Sequence, residues 1–141
     1  MALVNPYLAF DGNCEEAFNF YKSVFGGEFL GGISRFSDMP SEHYSPGQEN
    51  QVMHVMLPLG NGTSLMGSDT PGPEAAGKDA NVSIAVSPDS EENAKHIFNG
   101  LAAGGTVIMP LDHAPWGALF GMLTDKFGFK WMVNYDANAG K

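Results

Sequence analysis

Apolar and polar positions run along this chain in two similar cycles. Val4–Phe10 is predominantly apolar and reads as a buried strand. Cys14, Ala17, Phe18, Tyr21, Val24 and Phe25 then recur at helical spacing, which predicts one apolar helix face. Asn13 is the expected N-cap, with Glu16 completing a capping box. Gly26-Gly27 is the expected stop, because glycine takes left-handed backbone conformations without Cβ strain. Glu28–Phe36 predicts a strand, and Ser37–Asn50, polar with two prolines, a mobile loop. Gln51–Leu59 and Thr63–Ser68 predict two strands joined by a hairpin turn at Gly60-Asn61-Gly62.

The second cycle repeats the order. Val82–Val86 predicts a strand, Asp89 and Glu92 a second capping box, and Ala94, Ile97, Phe98, Leu101 and Ala102 a second helix face. Strands at Thr106–Met109, Ala118–Leu123 and Phe129–Tyr135 follow, and the tail Asp136–Lys141 is expected to fray. The match extends to individual residues: Asn5/Asn81, Glu15/Glu91 and Glu16/Glu92 align, and Gly26-Gly27 meets Gly104-Gly105 after a slip of two positions. A unit of half the chain, present twice, predicts two similar modules that pack on each other or on another subunit. Module one takes about residues 1–69 and module two about 81–135. The Pro/Gly-rich stretch at about 70–80, entered through Asp69, is the linker.

Each module therefore reads β-α-β-β-β, and residues 1–141 form a single α+β domain. In each, a helix covers one face of a curved mixed sheet. The other face is concave, to be covered by the sister module or filled by a ligand.

Composition narrows the partners. At 141 residues with 43% apolar content, the chain is long enough for a core of its own. Sixteen acidic residues against seven basic ones give a net charge of −9, the wrong sign for nucleic acid or an anionic membrane surface. No run approaches a membrane span, and no basic-then-apolar leader opens the sequence. The single cysteine, Cys14, cannot form an internal disulfide, so a cytoplasmic location is expected.

Paired β-α-β-β-β units resemble the vicinal oxygen chelate superfamily of glyoxalase I, fosfomycin-resistance proteins and extradiol dioxygenases. The chain is most similar to the PhnB-like branch. The matching stretches are YLAFDGNCEEAFNFYKSVFGG (Tyr7–Gly27), LMGSD (Leu65–Asp69) and WGALFGMLTDKFGFKWMVN (Trp116–Asn134). The resemblance implies a glyoxalase-like fold and a homodimer, since relatives commonly build the cavity from modules of two chains. Metalloenzymes of the superfamily hold a divalent ion with four His, Gln or Glu side chains on the first and last strands of the modules. The matching positions here are Asn5 or Pro6, Asn81, Met66 and Met132. Amide and thioether groups are poor partners for zinc, nickel or ferrous ions. No metal and no cofactor are therefore expected.

The remaining candidates carry binding more readily than catalysis. His54 lies on a strand and offers an imidazole as polar handle or general base, or else is a strand histidine paired with its surroundings. His43, His96 and His113 share no metal-binding spacing. His43 and His96 read as surface residues, and His113 sits before a turn that could overhang a cavity mouth. Cys14 at a helix start reads as packed, because Glu15 and Glu16 oppose a thiolate. The methionines Met53, Met56, Met66, Met109, Met122 and Met132 with Trp116, Phe120 and Trp131 form a set on predicted strands. Many are core, yet such a set also suits a pocket that adapts to an apolar or aromatic ligand. Met66, Trp116, Phe120 and Met132 are the expected apolar contacts, with His54 and Asn81 as polar handles.

PhnB-like proteins are often labelled demethylubiquinone methyltransferases. Gly60-Asn61-Gly62 leads into a strand, however, and supplies no strand–glycine loop–helix unit for adenosylmethionine. The leading expectation is a protein that binds a small apolar or aromatic molecule in an inter-module cavity. Its rival is an enzyme of the same superfamily (a lyase, transferase or dioxygenase), either with a non-standard site that holds a metal through other residues or with a metal-free site that uses His54 as base. A structural or assembly role with a collapsed cavity is a third.

Overall fold

The computed structural model describes residues 4–38, 46–69, 82–115 and 117–136. By internal contacts the chain divides into two compact units, Met1–Ala76 and Gly77–Lys141. Residues 70–81, where the linker is expected, lie outside the described residues.

The first unit runs β1 (Tyr7–Phe10), α1 (Cys14–Phe25), β2 (Ser34–Arg35), a 3₁₀ turn (Phe36–Asp38), β3 (Val52–Gly60) and β4 (Thr63–Asp69). The second runs β5 (Ile84–Val86), α2 (Glu91–Ala102), β6 (Thr106–His113), β7 (Leu119–Thr124) and β8 (Lys130–Tyr135). The sheets have matching orders, β1-β4-β3-β2 and β5-β8-β7-β6, each with one parallel pair and antiparallel neighbours beyond it. The α+β repeat of β-α-β-β-β units is present in full.

In each unit the helix covers one sheet face. Cys14, Ala17, Phe18, Tyr21 and Val24 of α1 are buried with Leu8, Phe10, Val55, Leu57 and Leu65. Ala94, Ile97, Phe98 and Leu101 of α2 are buried with Leu119, Leu123, Trp131 and Val133. At one point in each unit the helix approaches the sheet so closely that only glycine fits. A Cβ on Gly67 of β4 would lie 2.6 Å from Phe18 Cε1, and one on Gly121 of β7 would lie 2.7 Å from Phe98 Cε2.

Local structure departs from expectation in four places. Glu28–Phe36 is not one continuous strand: Gly31 and Gly32 take φ of 72° and 74° and interrupt it, leaving the Leu30 N–H on Met56 O at 2.9 Å on one side and the Ser34–Arg35 pairing with β3 on the other. Asn13 makes no side-chain cap bond (φ −115°, ψ 22°); the amides on either side of it, of Gly12 and Cys14, donate instead to Asp69 from across the fold. The second helix is capped by Ser90, whose Oγ accepts the Asn93 N–H at 3.0 Å; Asp89 instead receives the Asn93 side-chain amide at 3.1 Å. Asp69 itself is the last residue of β4 and is buried, so the first module's sheet extends through the residue expected to open the linker.

Candidate functional site

The face of each sheet away from its helix carries the residues with chemical potential. Strand alternation decides which side chains share it. In the first unit Met66 of β4 is flanked in register by Tyr7 of β1 and Met56 of β3. His54, two residues before Met56, emerges on the same side, as does Ser68, two residues after Met66. Tyr7 is 51% exposed, and His54, Met56 and Met66 are half-buried.

Two of these side chains meet across β4. The Tyr7 hydroxyl lies 3.3 Å from His54 Nδ1, and the two rings stack with centroids 5.8 Å apart at 30°. When the phenol donates to Nδ1, the neutral imidazole carries its own proton on Nε2 and donates from there. Tyr7 was not among the residues singled out from sequence. Its position at the exposed alternate of an otherwise buried strand was the available signal.

The second unit presents the matching face. Met132 of β8 is flanked in register by Ala85 of β5 and Met122 of β7, and Asn134 lies opposite Phe120. Met109 of β6 continues the row beside Met122 and is 47% exposed. Phe120, Met122, Met132 and Asn134 are half-buried. The two units thus repeat a cross-strand methionine pair, Met56–Met66 and Met122–Met132, on the face opposite the helix. Asn134, also missed from sequence, stands on that face beside Phe120, with the Thr124–Lys130 pair beyond the methionines and Asp112 of β6 in register with Phe120.

The expected site residues therefore fall into three groups. His54 and Met66 come together on the first sheet, and Phe120 and Met132 on the second. Asn81 and Trp116 lie outside the described residues, as does His43. His96 is exposed on α2, and His113 is exposed at the end of β6.

Cys14 is fully buried, and its amide donates to Asp69 Oδ1 at 3.0 Å. Burial, then the Asp69 and Glu15 carboxylates, push its thiol far above the ordinary cysteine range, which removes it as a nucleophile.

The donors at the described positions do not suit a divalent ion. Asn5 Oδ1 accepts the Ser64 amide at 2.9 Å, and Met66 and Met132 offer only thioethers. Among the described residues no group of three or more His, Cys, Asp or Glu converges on one point. Gly60, Asn61 and Gly62, with φ of 95°, 54° and 81°, form the β3–β4 turn. Among the described residues no helix is long and apolar enough to cross a membrane.

Residues 2–134 match the profile of the family described as 3-demethylubiquinone-9 3-methyltransferase. Protein PA1353 from Pseudomonas aeruginosa is 38% identical, with a TM-score of 0.83 over 96% of this chain and 98% of that one. A putative 3-demethylubiquinone-9 3-methyltransferase, the PhnB protein of Bacillus cereus, is 32% identical, with a TM-score of 0.76 over 96% of this chain and all (100%) of that one. A glyoxylase/bleomycin resistance protein/dioxygenase domain from Frankia sp. EAN1pec, 12% identical, shares the fold with a TM-score of 0.65 over 99% of this chain and 94% of that one. With its duplicated β-α-β-β-β sheets, the chain has a glyoxalase-like fold and belongs to the 3-demethylubiquinone-9 3-methyltransferase family, PhnB-like proteins among them.

Proposed function

We propose that this protein binds a small, largely apolar or aromatic molecule on the sheet faces opposite its helices, without a divalent metal. The observation that carries the reading is the repeated methionine pair, Met56–Met66 and Met122–Met132, half-buried where a soluble sheet would otherwise turn polar side chains to water. Flexible thioethers beside Phe120 and Tyr7 adapt to flat apolar ligands, and His54 supplies a polar contact. A chamber closed over these faces, a homodimer, a cytoplasmic location and ligand contacts from Asn81 and Trp116 are parts of the same proposal. The family's description names a demethylubiquinone, a ring compound whose chemistry accords with such a surface. The hairpin at Gly60-Asn61-Gly62 lends no support to a methyl-donor cradle.

A second reading has one observation in its favour. The Tyr7–His54 hydrogen bond gives His54 an oriented imidazole, as a metal-free enzyme using it as general base would need.

Native mass spectrometry of protein purified without chelator tests the first reading. The expected spectrum is a dimer carrying a small organic molecule and no stoichiometric metal. Stoichiometric zinc, nickel, manganese or iron would overturn it. A His54→Ala variant that binds the co-purified molecule unchanged, yet no longer converts it, would favour the second reading.

A further inference from the structure

The side-chain oxygen of Asn134 is buried and has no hydrogen-bond donor among the described residues. Such groups are rare in folded proteins, because a carbonyl withdrawn from water loses its hydrogen bonds and regains none. Its surroundings on the second sheet explain the vacancy. Phe120 lies directly across the strand pair, and the Met122–Met132 pair is the next one along the same face. Neither phenyl ring nor thioether can donate a hydrogen bond.

The position is also the wrong one for a purely structural amide. The face toward α2 carries Leu119, Leu123, Trp131 and Val133, and its one indole N–H is already given to Asp125 at 2.8 Å. Asn134 stands on the opposite face, the one assigned above to the ligand. The corresponding face of the first unit pairs its polar groups internally, Tyr7 with His54. The second unit leaves its acceptor unsatisfied.

We propose that Asn134 Oδ1 is the polar anchor of the ligand site, and that the ligand is a planar aromatic molecule bearing an O–H or N–H donor. The inference rests on the reading of these faces as a ligand surface. The donor satisfies the amide oxygen, the ring lies along Phe120, and the methionine pair fills the space around it.

Titration calorimetry with 2-naphthol and 2-methoxynaphthalene tests the inference. The two probes have similar apolar bodies, but only the first can donate. The unsubstituted protein is expected to bind 2-naphthol at least tenfold more tightly. Asn134→Leu should abolish that preference by weakening 2-naphthol alone, while holding or raising the thermal midpoint; Asn134→Ala, which also lacks the acceptor, stands in should the leucine variant not fold. Equal affinity of the two probes for the unsubstituted protein, a preference for the methoxy compound, or a preference that survives in the variants would overturn the anchor and leave the apolar surface standing. Failure of both probes to bind would overturn the surface reading and the anchor with it.

Discussion

Among the described residues each unit buries one aspartate against several N–H donors, but the two are used at opposite ends of their modules. Asp69, 3% exposed at the end of β4, accepts the amides of Gly12 at 2.9 Å and Cys14 at 3.0 Å through one oxygen, and of Val52 at 2.8 Å through the other. It fastens the start of α1 and the start of β3 to the sheet. Asp125, also 3% exposed, accepts the amides of Phe127 at 2.8 Å and Phe129 at 3.1 Å and the indole N–H of Trp131 at 2.8 Å. It fastens the β7–β8 turn. A carboxylate with two oxygens and several lone pairs suits either task, and saturation by N–H donors is what makes its burial tolerable. A duplicated unit can thus keep its topology while moving its polar anchor. In the first module the anchor holds β1 and β3 together at one end, and these are the strands that bring Tyr7 to His54.

The sharpest way to break the comparison is to remove each carboxylate. Asp69→Ala leaves three donors without an acceptor and is expected to cost about 3 kcal/mol or more in chemical unfolding. Hydrogen exchange should then rise at Gly12, Cys14 and Val52 and leave the β7–β8 turn protected. Asp125→Ala should reverse that map at similar overall cost. Uniform loss of protection in both variants would show that the anchors are not local to their modules.

The helix starts offer a finer contrast. Ser90→Ala removes the side-chain acceptor of the Asn93 amide and should lower stability by about 1 kcal/mol. Asn13→Ala, at the corresponding place on α1, should change it by less than about 0.5 kcal/mol, because its side chain caps nothing. Equal losses in thermal melts would mean that Asn13 caps its helix after all.

The smallest effect concerns a contact of the first unit. Arg35 grips Glu15 through two N–H···O bonds of 3.0 Å, which holds the Glu15 carboxyl below the ordinary glutamate range. Both side chains are partly exposed, so Glu15→Gln should cost no more than about 0.5 kcal/mol, shrinking further with salt. Because the folded-state value is lowered, this contribution is present above the unfolded-state value. It is lost as pH falls through the folded one. Unfolding titrations of the two proteins should therefore converge in acid; a difference that persists there would assign the effect to packing.

Much of this organisation is written in the order of residues. Repetition of apolar runs, helical spacing and glycine pairs determined the two β-α-β-β-β units, because strand and helix periodicities are local properties of the chain. His54, Met66, Phe120 and Met132 could be assigned to strands in the same way, but register put His54 with Met66 and Phe120 with Met132. The Gly26 stop of the first helix was legible and the N-caps were not: Asn13 caps nothing while Asp69 binds the first helical amide from across the fold, and Ser90 prevails over its neighbour Asp89 through backbone geometry. The strand expected at Glu28–Phe36 was cut to Ser34–Arg35 because consecutive glycines turned the chain within it. Tyr7 and Asn134 acquired their meaning only when register was fixed. A phenol reaching an imidazole two strands away, and an amide left among thioethers and a phenyl ring, depend on which side chains sheet pairing makes neighbours, and no local pattern specifies that.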